Sequence, residues 1–308
     1  MTLLQQIRAN NFRSALLVLS FGLFFVAIGA FVQYFYGGPV LVILAVVAFA
    51  YALMSWFANQ SMIASWTGAR LVTKEEQPDL VRLVENTAIG AGLQETPQVR
   101  VVDDPCPNAF AAGRDPKHSY VAVTTGLLGL MDRRELEGVI AHEIGHVRNR
   151  DVRLMSLAAV LVGVIALLAD ILLRLTFFGG GRRRGGNPLI MVLGIAALVI
   201  APIAAVGIQL ALSRRREYLA DASSAEITGD AEGLARALWK LKRDKSELRH
   251  VNRATAHLYI ETPLNNAAGV RSAMSGLFAT HPDLDKRIEA LEQMGGFRLD
   301  EVSGVARA

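Results

Sequence analysis

Cysteine is almost absent from this chain of 308 residues, which contains Cys106 alone. A single cysteine excludes an intramolecular disulfide and suits a reducing compartment. The sequence also lacks a basic stripe interleaved with aromatic residues, so its formal net charge of +4 gives no case for nucleic-acid binding. Many of the arginines lie beside apolar runs, where basic residues are typical of loops next to a membrane.

Charged residues are missing from one long segment near the N-terminus. No Asp, Glu, Lys or Arg occurs between Arg13 and Arg70, and the turn signal Gly37-Gly38-Pro39 divides this stretch. A helix needs about 20 apolar residues to cross a bilayer. The stretch therefore predicts two transmembrane helices, near Ala15–Tyr36 and Val40–Phe57. It is too long and too continuous for a cleaved secretory signal, so we expect the first helix to stay in the protein.

Two further apolar runs, Leu154–Ala169 and Pro188–Leu212, predict a second hydrophobic hairpin. The Lys and Arg residues that flank the first hairpin favour both of its ends on the cytoplasmic side. The basic triplet Arg182–Arg184 would be translocated if the second hairpin crossed the membrane. A re-entrant hairpin, or a buried hairpin in a soluble domain, therefore remains an alternative. The predicted organisation is an N-terminal transmembrane hairpin (1–60), a first part of a polar domain (61–153), the second hairpin (154–212) and a second part of that domain (213–308).

The polar segments predict a mainly α fold with a small antiparallel β-sheet. Three short runs have strand character: Val99–Val102, Asn108–Ala112 and Tyr120–Val123. Helix signals begin at Thr73, at the capping box of Asp132 and Glu135, at Ser213, at Asp230 and at Pro282.

The most informative string is Ala141-His142-Glu143-Ile144-Gly145-His146, which lies in the helix predicted to run from Asp132 to about Arg150. Residues four apart share one face of a helix, so His142 and His146 can reach the same metal ion. Glu143 is placed to reach a metal-bound water and to act as general base. The pattern predicts a zinc-dependent hydrolase with one ion per chain. The alternative to metal binding is that His142 and His146 are two surface histidines on an exposed helix.

A catalytic zinc site takes a third protein ligand from elsewhere in the chain. Glu217 stands out because Asp221 follows it by one helical turn on the same face and could accept the second ring N–H of a zinc-bound histidine. Solvent-exposed helix carboxylates are the alternative interpretation. The complete set of candidates for the third ligand is Glu217, Glu226, His118, His250, His257 and His281.

Taken together, these motifs resemble the HtpX membrane proteases, gluzincins that are related to the CAAX prenyl endoprotease. The resemblance covers most of the chain. It rests on the strings at Asn108–Gly113 and Ser213–Ala222, on the HExxH motif with Asn149 and Asp151, and on Thr280-His281-Pro282 with Arg287.

The resemblance implies roles for individual residues. His142, His146 and Glu217 would bind zinc, with Glu143 as the base. The segment Asn108, Ala109, Phe110 and Ala111 would be an edge strand that pairs with an extended substrate. His281 and Arg287 would lie near the metal and act on the substrate carbonyl or its oxyanion. A helix-capping His281 and a solvated Arg287 are the alternatives that the residues alone favour.

The expected function is that of a zinc endopeptidase in the plasma (inner) membrane, with its active site at the cytoplasmic surface. Its expected substrates are damaged or unfolded membrane proteins, in stress response and quality control. A prenyl-protein endoprotease and a non-catalytic scaffold with a structural zinc are the alternatives. The sequence leaves open whether the chain forms a homo-oligomer.

Overall fold

The computed structural model describes residues 3–36, 39–161, 214–244, 283–300 and 306–307. Several sequence predictions lie outside these ranges: most of the second hydrophobic hairpin, the basic triplet, His250, His257, His281 and Pro282.

Helices dominate the described chain. Their bounds are α1 (Leu3–Tyr36), α2 (Val40–Thr67), α3 (Pro78–Gly90), α4 (Thr125–Leu130), α5 (Arg133–Arg148), α6 (residues 151–161), α7 (Arg214–Thr228), α8 (Ala231–Arg243) and α9 (Leu284–Gly295). The strands are β1 (Arg70–Leu71), β2 (Gln98–Val102), β3 (Ala109–Asp115), β4 (His118–Thr124), β5 (Arg298–Leu299) and β6 (Ala306–Arg307).

The two N-terminal helices pack against each other as a hairpin, with the rings of Phe21 and Tyr51 5.7 Å apart. The segments that the sequence predicted to cross the membrane lie within α1 and α2. Within the described ranges, no helix combines the length and apolar character needed to cross a bilayer. The placement of α1 and α2 in a membrane therefore stays a prediction.

The main sheet is mixed, so the prediction of an antiparallel sheet is wrong. Its strand order is β1-β2-β4-β3; β3 and β4 form an antiparallel hairpin, but β4 runs parallel to β2. The reason lies in the connection at residues 103–108, which carries the chain past the position of β4 and makes β3 the edge strand. Strand order depends on such long-range packing, which three short apolar runs do not encode.

Helix α5 forms the centre of the catalytic-domain core. The Asp132 carboxylate accepts a hydrogen bond from the Glu135 backbone N–H, and the Glu135 carboxylate accepts one from the Asp132 N–H, both at 2.9 Å. This confirms the predicted capping box. The helix ends at Arg148, slightly before the predicted end, because Arg150 adopts a left-handed φ of 58°.

Two glycines let other helices approach α5 closely. A Cβ on Gly138 would lie 2.6 Å from the backbone nitrogen of Leu234 in α8, and one on Gly145 would lie 3.0 Å from Cβ of Ser223 in α7. The Ser224 hydroxyl also donates to the Gly138 carbonyl at 2.7 Å. This close packing carries α7, and Glu217 with it, to the face of α5 that bears the histidines.

Two other helix starts differ from the sequence prediction. Helix α3 begins at Pro78, a favourable first helical position, and not at Thr73. Helix α9 begins at Leu284, and the Asp283 carboxylate caps it by accepting a hydrogen bond from the Asp285 N–H at 3.1 Å. The helix therefore begins two residues after the predicted start at Pro282.

Candidate metal centre and active site

Helix α5 presents His142 and His146 on one buried face. Their ring centroids lie 4.8 Å apart and the rings are nearly perpendicular. Both side chains are almost fully inaccessible, although imidazoles are costly to bury without partners. The i, i+4 spacing in the sequence thus places two nitrogen donors at one point, as helix geometry requires.

Glu217, near the start of α7, completes a group of three donors. Its carboxylate oxygens lie 3.8 Å from Nε2 of His142 and 3.7 Å from Nε2 of His146. One donor atom from each of the three residues lies within 4.8 Å of the other two, and all three residues are buried. The structure therefore brings together the three residues that the sequence proposed as metal ligands.

A buried carboxylate holds the outer nitrogen of His142. Nδ1 of His142 lies 2.9 Å from Oδ1 of Asp221. Arg287 binds the same carboxylate through both oxygens, from Nε to Oδ2 at 2.9 Å and from Nη2 to Oδ1 at 2.7 Å. Burial alone would raise the pKa of Asp221, but Arg287 and His142 outweigh it and hold that pKa below its usual value. An ionised Asp221 can accept the Nδ1–H of His142, which leaves Nε2 turned towards Glu217.

The outer nitrogen of His146 faces a different carboxylate. Nδ1 of His146 lies 3.3 Å from Oδ2 of Asp151, the first residue of α6. Burial by itself lowers the pKa of His146. The hydrogen bond that His146 donates to Asp151 and the negative charge of Glu217 outweigh burial and raise that pKa to about 9. Asp151 belongs to the motifs on which the family resemblance rests, but the sequence predicted no role for it. The feature of the structure that explains this contact is the end of α5 at Arg148. The chain turns there, and the turn brings the carboxylate of Asp151 back towards His146.

Glu143 lies on α5 next to His142, and its side chain is on the side of the helix that faces the sheet. Its side chain is buried, and this burial raises the pKa of its carboxyl group above the usual value. The backbone N–H of Ala111 donates a hydrogen bond to this carboxylate. The arrangement places a proton acceptor at the border between the histidines and strand β3.

Strand β3 is an edge strand of the main sheet in the described part of the chain. Its residues Ala109 to Ala112 are buried, and Asn108 immediately precedes it. Ala111 and Gly113 direct their N–H groups away from β4: Ala111 to Glu143, and Gly113 to the Ser156 hydroxyl at 2.9 Å. This edge therefore lies directly beside the candidate base.

The donor set suits a divalent ion such as zinc. Zinc in a tetrahedral site binds nitrogen and oxygen at about 2.0–2.2 Å, which separates neighbouring ligand atoms by about 3.3 Å. The two Nε2-to-carboxylate separations of 3.8 and 3.7 Å need to contract by only about half an ångström to meet this geometry. Carboxylates behind both imidazoles are also typical of metal-binding histidines.

The other candidates for the third ligand lie elsewhere or outside the described residues. Glu226 is exposed on α7, 3.4 Å from Nη1 of Arg148. His118 begins β4 and pairs with Asp115 at 2.8 Å. His281, predicted to act on the substrate, lies outside the described residues, whereas Arg287 lies within the centre. Nη2 of Arg287 is 3.4 Å from the ring of His142.

Comparison with known proteins bears directly on this geometry. The sequence profile of Peptidase family M48 matches residues 74–295, a range that contains both histidines, Glu143 and Glu217. The chain belongs to peptidase family M48. It is therefore a metallopeptidase.

Curated relatives of this M48 peptidase match it over nearly their whole length. It is 41% identical over 296 residues to the Protease HtpX homolog of Dictyoglomus thermophilum, covering 96% of this chain and 95% of the relative. It is 40% identical over 311 residues to the Protease HtpX homolog of Listeria monocytogenes, covering 95% and 100%. These similarities support the resemblance to HtpX proteases drawn from the motifs.

A solved structure shares the fold of this M48 peptidase. The crystal structure of S. mikatae Ste24p superposes with a TM-score of 0.51 at 17% sequence identity, covering 94% of this chain and 67% of that protein. At this identity the likeness concerns the fold alone. It supports a mainly helical architecture with a small mixed sheet.

Proposed function

We propose that this protein is a zinc-dependent endopeptidase that works at the cytoplasmic surface of a membrane on damaged or unfolded membrane proteins. The observation that carries the proposal is the convergence of His142, His146 and Glu217, with a carboxylate behind each imidazole. Three protein ligands leave a position for substrate or water, which favours a catalytic ion over a structural one.

Glu143 is the general base in this proposal. Zinc, when bound, would polarise the scissile carbonyl and activate a water molecule. Glu143 takes the proton of the attacking water and then returns it to the leaving amine. Its burial supports this role because a raised pKa brings a carboxylate closer to the operating pH.

The edge of β3 is the proposed binding site for the substrate backbone. An extended polypeptide could add to this edge as a further strand, with its scissile bond facing the metal ligands. The hydrogen bond from the Ala111 N–H to Glu143 supports this arrangement because it places the strand next to the base. Arg287, which lies 3.5 Å from Oε2 of Glu217, primarily balances the charge of the ligand carboxylates in this proposal.

The membrane placement rests on the first hairpin. The segment between Arg13 and Arg70 carries no charged residue. Large apolar side chains on α1 and α2 are more than half exposed, as expected of a surface that faces lipid. They are Leu16, Leu19, Leu23, Val42, Ile43, Val46, Val47, Phe49 and Phe57.

One experiment tests the catalytic assignment. Detergent-purified protein is incubated with casein and zinc, with and without a chelator, and compared with Glu143→Gln. We expect the variant to keep its zinc and to lose about 10²- to 10⁴-fold in rate, because it lacks a proton acceptor. The exposed Glu226 provides a matched control, and Glu226→Gln should cleave like the wild type.

Substrate comparison tests the remainder of the proposal. A denatured membrane protein should be cleaved in a lipid bilayer, and a prenylated peptide should be cleaved poorly. Preference for the prenylated peptide would instead favour the prenyl-protein endoprotease. Stoichiometric zinc without cleavage of any substrate would favour the scaffold.

A further inference from the structure

The N-terminal helix makes direct contact with the periphery of the metal centre. Asn10 of α1 is almost completely buried, and its Nδ2 donates to Oδ1 of Asp151 at 2.6 Å and to the carbonyl of Asn149 at 3.2 Å. These partners lie 141 and 139 residues away in the sequence. A helix whose composition suggests only membrane anchoring thus supplies a buried polar side chain to the catalytic domain.

The contact continues to a metal ligand. Asp151 uses Oδ1 for Asn10 and presents Oδ2 to Nδ1 of His146 at 3.3 Å. Nε2 of the same imidazole faces Glu217 at 3.7 Å. One continuous line of contacts therefore runs from α1 through Asp151 and His146 to the centre of the site.

We propose that Asn10 is a positioning residue of the metal centre and that α1 is part of the active-site structure. This inference rests on the proposed metal site. Asp151 is fully buried, and a buried carboxylate needs hydrogen-bond donors to hold its orientation. Asn10 supplies a donor to one oxygen and so directs the other towards His146. Loss of the group that directly contacts a ligand, here Asp151, typically weakens metal binding by about 10- to 100-fold, and loss of Asn10 should have a smaller effect in the same direction.

The surrounding contacts fix α1 at this position. The Ser14 hydroxyl donates to the Asn10 carbonyl at 2.9 Å, within the same helix. Arg153 of α6 donates from Nη1 to Oδ1 of Asn11 at 2.9 Å and from Nε to the carbonyl of Arg114 at 2.6 Å. Asn11 accepts a hydrogen bond from Arg153, whereas Asn10 donates one to Asp151. A change at Asn11 therefore tests the attachment of α1 to α6 apart from the contact with Asp151.

The test compares Asn10→Leu with the neighbouring Asn11→Leu in full-length protein in detergent. Zinc affinity is measured on the metal-free protein by competition with a chromophoric chelator. The visible spectrum of the cobalt-substituted protein reports the ligand geometry. We expect Asn10→Leu to bind zinc up to about 10-fold more weakly and to change the cobalt spectrum, because Asn10 contacts the partner of His146 and not His146 itself. Asn11→Leu removes a contact with Arg153, so it should weaken zinc binding less than Asn10→Leu does and keep the cobalt spectrum of the wild type. Equal changes in both variants would overturn the inference.

A second set of variants covers the case in which Asn10→Leu does not fold. Asn10→Ala is combined with Asp151→Asn, and the effect of Asn10→Ala on zinc affinity should disappear in the Asp151→Asn background. Equal zinc affinities for the wild type and the folded Asn10 variants would overturn the inference and leave the proposed function intact. A wild-type protein that binds no zinc would overturn the proposed function itself.

Discussion

Arg287 has the largest fully buried side chain in the described part of the chain, and its charge is balanced by carboxylates of the metal centre. It joins α9 to α7 through both oxygens of Asp221. The same Asp221 holds His142, so one ion pair connects the stability of the domain with the geometry of a proposed metal ligand. A guanidinium suits this place because its planar donors match a carboxylate in a way that an ammonium group cannot.

We therefore expect Arg287→Met to destabilise the protein by about 3–5 kcal/mol, because Asp221 would remain as an uncompensated buried charge. Thermal unfolding in detergent would measure the loss. The double variant Arg287→Met with Asp221→Asn removes both charges and should recover part of the stability. A single variant as stable as the wild type would show that the pair contributes nothing to the fold.

At the scale of elements, the N-terminus of α8 depends on one carboxylate. Asp230 accepts hydrogen bonds from the backbone N–H groups of Glu232 and Gly233, at 3.0 and 3.2 Å, and binds Arg134 of α5. The hydrogen bond from Arg134 is the main reason that the pKa of Asp230 lies below its usual value. Asp230 thus both caps α8 and fastens it to α5.

This depressed pKa gives the cap a defined pH dependence. The stabilisation is present above the unfolded-state pKa of about 3.9 and is lost as the pH falls through the lower folded-state pKa. Asp230→Ala should lower stability by about 1 kcal/mol at neutral pH, as loss of an N-cap does. The difference in free energy of unfolding between this variant and the wild type should become smaller in acid.

Asp230→Asn keeps a capping oxygen, so at neutral pH it should lose less stability than the alanine variant. Unfolding curves recorded as a function of pH would show both effects. A difference in stability between the wild type and Asp230→Ala that did not change with pH would contradict this account.

Close helix contact gives a second prediction at this scale. A Cβ at Gly138 would lie 2.6 Å from the Leu234 nitrogen, and backbone atoms cannot move aside as flexible side chains can. Gly138→Ala should therefore cost about 1–3 kcal/mol through overpacking. A Cβ at Gly129, in α4, would meet no atom within 4 Å among the described residues, so Gly129→Ala should be neutral or slightly stabilising. Equal melting temperatures for the two variants would contradict this explanation.

The elements also show how far local sequence determines the fold. The capping box at Asp132 and the cap at Asp230 were predictable because their donors and acceptors lie within three residues. The convergence of His142 and His146 followed from helix periodicity. The parallel pairing of β2 and β4 was not predictable, because it depends on the route of a loop. The contact between Asn10 and Asp151 could not be predicted from the sequence either, since it joins residues 141 positions apart.

At the scale of the whole molecule, the candidate metal centre links segments that are distant in the sequence. The ligands come from α5 and α7, and the groups behind them come from α1, α6, α7 and α9. A bound ion would therefore hold together much of the described structure, and it would do so only in the folded state. Folding and metal binding should accordingly be linked.

Removal of the metal should lower the melting temperature of the entire protein. For a ligand that binds only the folded state, the stabilisation is about 4 kcal/mol at a thousandfold excess over its dissociation constant. Melting curves of protein treated with chelator, recorded with increasing zinc, should therefore shift upward with zinc concentration. The control is Glu217→Gln, which keeps the size of the side chain but weakens the third ligand, and its melting temperature should respond only at much higher zinc. If both proteins responded equally, the stabilising ion would lie at another site, because the carboxylate of Glu217 would then contribute nothing to its binding.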